Sequence, residues 1–105
     1  MEPPTKIINQ VVHRIVKTAR PRRIILFGSA ARGKMRADSD LDILVVVRDG
    51  THRTHTAQRI YEKLVGVDID VDVVVATEQD LLKYGDNFSL VYYPALREGK
   101  QIYAA

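Results

Sequence analysis

Gly28 and Ser29 stand together, ten residues ahead of Asp40-Leu41-Asp42. Each residue type has something to offer a phosphate or a cation. Glycine lacks a Cβ, so the backbone at Gly28 can turn sharply and approach a ligand closely. Ser29 brings a hydroxyl, and a helix starting there would add free N–H groups and the positive end of a dipole. Asp40 and Asp42, two apart at a strand start, point to one side with Cα atoms roughly 7 Å apart. Such a pair repels itself unless a cation intervenes. Oxygen-only ligands favour Mg²⁺, which keeps several waters and bridges to substrate phosphates. Two such ions about 3.5–4 Å apart can activate an attacking oxygen and stabilise a leaving one.

A third carboxylate is expected from a neighbouring strand. Asp68, Asp70 and Asp72 lie on one face of Val67-Asp68-Ile69-Asp70-Val71-Asp72-Val73. Asp72 leads into Val73-Val74-Val75 and should be the most deeply set, whereas Asp68 and Asp70 read as solvated. Lys34, Arg36 and Ser39, between the two motifs, are candidates to touch a triphosphate. Arg32 either faces the same site or pairs with a surface acid. Bland readings stand beside these: a lone Gly-Ser is commonly a turn, and a lone Asp-x-Asp a solvated loop edge. His13, His52 and His55 are scattered, and the His52–His55 segment reads as a loop. Tyr92-Tyr93 reads as packing against the core or a partner.

These residues need elements to hold them. Ile8, Val11, Val12, Ile15 and Ala19 recur at helical spacing and Pro21 stops that helix. Arg22 to Phe27 and Asp40 to Val47 each centre on an apolar run, the mark of a buried strand. Ser29 is placed to cap a short helix running to Gly33. Lys34 to Ser39 reads as a loop, and Asp49-Gly50 as a turn. Thr56 to Val65 carries a second helical stripe closed by Gly66. Val67 to Ala76 alternates and then turns wholly apolar, as a strand does. Thr77-Glu78-Gln79-Asp80 has the form of a capping box. A short helix should follow to about Lys83, then another over Phe88 to Arg97 ended by Gly99, with a last short strand at Gln101 to Tyr103. The expected fold class is α/β (α+β): a small mixed sheet with a three-stranded core, flanked by helices.

A chain of 105 residues, 46% hydrophobic and 28% charged, suits one ordered domain over residues 1–105. With no cysteine, disulfides and Cys-ligated metals are excluded. Met1-Glu2-Pro3-Pro4-Thr5 lacks the basic and apolar segments of a signal peptide, and no run approaches the roughly 20 apolar residues of a membrane span. A cytoplasmic location is therefore expected. The net charge of +3 is a mild bias toward anions such as ATP or RNA. Direct nucleic-acid binding is not expected, because no helix-turn-helix is recognisable.

Phe27-Gly28-Ser29-Ala30-Ala31-Arg32-Gly33, followed by Ser39-Asp40-Leu41-Asp42-Ile43, resembles the signature of the MNT group of the DNA polymerase beta-like nucleotidyltransferases. The resemblance extends to Val71-Asp72-Val73-Val74, where that family places its third carboxylate, and to Tyr92–Tyr103. It implies a polymerase beta-like fold and a transferase that moves a nucleoside monophosphate, AMP from ATP, onto an acceptor hydroxyl with two Mg²⁺ ions. Gly28 and Ser29, with Arg32 and Ser39, would then bind the nucleotide. Asp40, Asp42 and Asp72 would be the catalytic and metal-binding set, with Asp72 as base. It further implies an antitoxin whose partner is a HEPN-domain toxin, modified on a tyrosine. The short chain leaves little room for an acceptor pocket, which favours a macromolecular acceptor. Transfer to a small-molecule alcohol and a non-catalytic, nucleotide-binding antitoxin are the alternatives, and an oligomer is possible.

Overall fold

The computed structural model describes residues 5–36, 39–87, 90 and 92–105. Helix α1 (Thr5–Ala19) follows its apolar stripe, with Val11 and Ile15 fully buried. It ends where Arg20 takes a left-handed φ of 45° just before the buried Pro21. Strand β1 (Arg23–Phe27) leads into a single helical turn, α2 (Gly28–Ala31). Strand β2 (Leu41–Val47) is buried throughout except at Asp42. Helix α3 (Arg53–Lys63) then crosses over to β3 (Val71–Thr77), and α4 (Glu78–Tyr84), α5 (Tyr92–Glu98) and β4 (Lys100–Ala104) complete the described elements.

The sheet order is β3-β2-β1-β4. Strand β1 runs antiparallel to both its neighbours, and β2 runs parallel to β3, so the sheet is mixed. The expected three-stranded core is present, and β4 adds a fourth strand along β1. Alternation along β2 explains why its whole run is apolar. Leu41, Ile43, Val45 and Val47 enter one cluster with Val11 and Ile15 of α1 and Ile60 of α3. Leu44 and Val46 enter a second with Leu81 of α4 and Ala95 of α5. Apolar layers on both faces of a strand require an uninterrupted apolar sequence.

Several boundaries differ from the sequence expectations. Strand β3 starts at Val71, not Val67. Its partner β2 starts at Leu41, which sits opposite Val71, so residues 67–70 have no strand to pair with despite their alternation. Helix α3 starts earlier than Thr56, because His52 caps it by accepting the His55 N–H at Nδ1 (3.2 Å). Ser29 is not a cap: α2 begins at Gly28 after Phe27, without a side-chain cap, and Ser29 lies within the turn. The capping box at Thr77 is formed, with Thr77 and Asp80 exchanging side-chain-to-backbone bonds of 3.1 and 2.9 Å. Of the helix expected over 88–97, Phe88, Ser89 and Val91 lie outside the described residues, as do Ala37 and Asp38 of the 34–39 loop. Among the described residues no helix is long and apolar enough to cross a membrane.

Candidate active site

The end of β1 and the starts of β2 and β3 meet at one edge of the α4–α5 face. Phe27 pairs with Asp42, and Asp42 pairs with Asp72. Adjacent strands lie about 4.8 Å apart, so this register alone sets Asp42 and Asp72 side by side on the same face as Leu44 and Val74. Asp72 thus stands where the sequence pattern puts a third carboxylate. Asp40 lies one residue before β2 and is exposed. The buried strands fix these backbones; the carboxylates contribute nothing to that packing.

Gly28 turns the chain directly over Asp42. Its φ is +71°, a region costly to any residue with a Cβ. A Cβ there would also overlap the Asp42 carboxylate. Both observations require glycine, and they place the Gly28-Ser29 backbone against Asp42. Amides that open a helical turn have no partner within it. Ser29 is half-buried, and its carbonyl accepts the Lys34 N–H at 2.9 Å, folding the following loop back on the turn. Ser39 closes the other end of the loop: its Oγ accepts the Arg36 N–H at 2.8 Å.

Burial, then the negative charges of Asp72 and Asp40, push the Asp42 carboxyl above its ordinary range, and Arg32 pulls it back. The site therefore holds excess negative charge around a half-buried carboxylate. Arg32 faces this centre and also pairs with Glu98 of α5 at 3.4 Å. The surface ion pair expected of Arg32 is thus formed, on the side of the turn that faces Asp42.

Among the described residues, no three metal-capable side chains close around one point. The pattern suits a cation that completes its shell with water and substrate oxygens rather than one caged by protein alone. Asp42 and Asp72, with Asp40 at the rim, offer hard oxygen donors and uncompensated charge, and so fit Mg²⁺.

In the sequence Tyr61 stands out only as part of an apolar helix stripe. From α3 it reaches the open edge of β3, where its hydroxyl accepts the Val73 N–H at 2.8 Å and lies 3.4 Å from Asp72 Oδ1. Glu98 escapes sequence reasoning as well; a lone acid near the end of a helix carries no local signal. A cleft of about 490 Å³ opens beside Asp40 and is walled by Tyr61, Leu64, Val65 and Asp70. Asp68, Asp70 and Asp72 are all exposed, so Asp72 is not the deeply set carboxylate expected, because its side chain stands at the open start of the edge strand; Asp70 serves through its carbonyl, which accepts the Leu41 N–H at 2.9 Å. A larger hollow of about 650 Å³ lies at the far end of β2, and none of these three aspartates lines it. Converging carboxylates, not hollow size, locate the site.

Known proteins share this fold. A solved protein of Sulfolobus solfataricus, provisionally assigned as a nucleotidyltransferase, superposes with a TM-score of 0.65 at 19% identity, over 94% of this chain and 78% of that one. A toxin–antitoxin crystal structure with AMP-PNP superposes with a TM-score of 0.59 at 25% identity, covering 91% and 73%. A MntA-HpeT toxin–antitoxin mutant, with two aspartates changed to glutamate, gives a TM-score of 0.60 at 22% identity, covering 92% and 72%. No curated protein sequence matches closely. The family described as "Polymerase beta, Nucleotidyltransferase" matches residues 9–105, and with that span, fold and carboxylate register the chain belongs to the polymerase beta nucleotidyltransferases.

Proposed function

We propose that this nucleotidyltransferase moves AMP from ATP onto a hydroxyl of a partner protein, a HEPN-domain toxin, and thereby acts as its antitoxin. The observation that carries this reading is the Asp42–Asp72 pair, set in register on parallel strands with Gly28 packed on the Asp42 carboxylate. A neighbour at 25% identity is a toxin–antitoxin complex solved with AMP-PNP, an ATP analogue, which supports both the nucleotide and the kind of partner.

The chemistry follows from the residues. The Gly28-Ser29 turn takes the β- and γ-phosphates through its amides and the Ser29 hydroxyl, with Arg32 and Ser39 at their flank. Asp40, Asp42 and Asp72 are the ligands for Mg²⁺, which supplies charge neutralisation to the triphosphate. The acceptor comes in over the cleft beside Asp40. Its O–H proton passes to Asp72, its oxygen bonds to the α-phosphorus, and the bond from that phosphorus to the bridging oxygen breaks as pyrophosphate leaves. The protein's share is positioning and charge compensation, as is general for phosphoryl-type transfer.

The test is incubation of the chain with α-labelled ATP, Mg²⁺ and its co-encoded partner. Label should appear on a partner hydroxyl residue and be lost with Asp42→Asn. Labelling by Asp42→Asn at the parental rate would sink the catalytic reading and leave a nucleotide-binding antitoxin.

A further inference from the structure

The end of β2 remote from the aspartates has a different character. Two adjoining hollows there, of about 650 and 450 Å³, share Lys17, Thr18 and Arg59 as walls. Around them stand Arg14 and Lys17 from α1, Arg20 just beyond its end, Arg48 from the turn after β2, and Arg59 and Lys63 from α3. The chain scatters these cations, with Arg14 and Lys63 separated by 49 positions, and the packing of α1 on α3 gathers them. Arg48 lies six steps along extended strand from Asp42, about 20 Å. This groove is therefore separate from the carboxylate site.

Its charges are left uncompensated. Elsewhere Arg23, Arg32, Arg53 and Arg97 each pair with a carboxylate. Among the described residues, none of the six groove cations does. Arg14 donates to the Lys63 and Val65 carbonyls (3.0 Å each) and Arg59 to the Thr18 carbonyl (3.3 Å), which fixes the walls but neutralises no charge. The one carboxylate in the lining, Asp49, accepts the Gln79 N–H at 2.9 Å. Like charges crowded this way oppose folding and attract a polyanion.

The lining also discriminates among polyanions. A protein partner draws most of its affinity from Trp, Tyr and Arg anchors seated in well-packed, water-excluded pockets. Among the described residues the groove presents no large exposed apolar side chain to close such a pocket; Val47 is buried and the only ring in the lining is His13. A strand of phosphates needs only cations in a row, and without Tyr, Phe or Trp to stack its bases the affinity rests on the phosphates alone. We propose that this groove binds nucleic acid through its phosphates, without sequence preference and independently of the carboxylate site.

The test is fluorescence anisotropy of a labelled oligouridine and an oligothymidine of about 20 nucleotides, from about 50 to 200 mM salt. Lys17→Gln/Arg48→Gln/Lys63→Gln should weaken binding about 10-fold or more. It should also flatten the log–log salt dependence by about 2, near 0.7 for each phosphate no longer neutralised. Lys6→Gln/Lys83→Gln/Lys100→Gln, equal in charge but away from the groove, should stay within about twofold of the parent. Both oligonucleotides should bind alike, and Mg·ATP should not displace them. Should the groove triple unfold, Arg48→Gln alone should still cost about threefold. No binding at the lowest salt, equal losses in both triples, displacement by Mg·ATP, or equally effective competition by polyglutamate would each overturn the proposal.

Discussion

At the scale of single residues, Asp42 shows a group placed against its own preference. Its folded pKa lies above the unfolded value, raised first by burial and then by Asp72 and Asp40. The stability it contributes is therefore complete below the unfolded pKa and is lost as pH rises through the folded one. At neutral pH its charge opposes folding. Asp42→Asn should raise the Tm of the metal-free protein at pH 7. The gain should shrink toward pH 4 and transfer should be abolished; a Tm equal to the parent's at pH 7 would contradict the charge balance described. Gly28→Ala should act in the opposite sense. The positive φ alone costs about 1–2 kcal/mol, and the new Cβ displaces the Asp42 carboxylate. Urea unfolding should report at least that loss, with transfer falling together with it.

At the scale of elements, the edge strand and the start of α4 can each be tested by a single substitution. Tyr61→Phe leaves the Val73 N–H on the open edge of β3 without its partner, a loss of about 1 kcal/mol. Thermal melts should show it, and hydrogen exchange at Val73 should quicken. In the α4 capping box, burial pushes the Asp80 carboxyl up. The Thr77 amide and hydroxyl, and then Arg53, together outweigh that and hold it below its ordinary range. Its stabilisation is thus present above the unfolded pKa and lost as pH falls through the folded one. Asp80→Asn keeps an acceptor for the Thr77 N–H but loses the charge facing Arg53 and the helix start, so it should lower stability at pH 7, and the parent and variant should converge as pH falls through the folded pKa. Much at this scale is legible in the chain. The helical stripe of α1, the apolar run of β2 and the Thr77 box all announce themselves, because each depends on neighbours a few positions away. The start of β3 does not, since residues 67–70 alternate like a strand and only the register of β2 withholds a partner. Tyr61 and Glu98 join the site across many positions of chain, where short spacing carries no signal.

At the scale of the whole molecule, one scaffold separates an acidic end from a basic end. Gly28, Asp42 and Asp72 are recoverable from spacing because strand geometry turns spacing directly into position. The basic groove is not, because a net charge of +3 says nothing of where the cations collect. The carboxylate end leads to a further expectation. Mg²⁺ with a non-hydrolysable ATP analogue should raise the Tm, since a ligand that binds only the folded chain stabilises it. That shift should vanish in Asp42→Asn and persist in the groove triple; no shift at millimolar ligand would count against the site. The buried aliphatics of β2 have a consequence for descent. They hold the strand ends in place whatever stands at positions 40, 42 and 72, and the Asp42 charge is a burden on the fold it decorates. A lineage released from the need to transfer nucleotides could lose that aspartate in a single step and become sturdier by doing so. Retired copies of this scaffold should therefore persist as folded binding proteins, with catalysis eroding well before the architecture does.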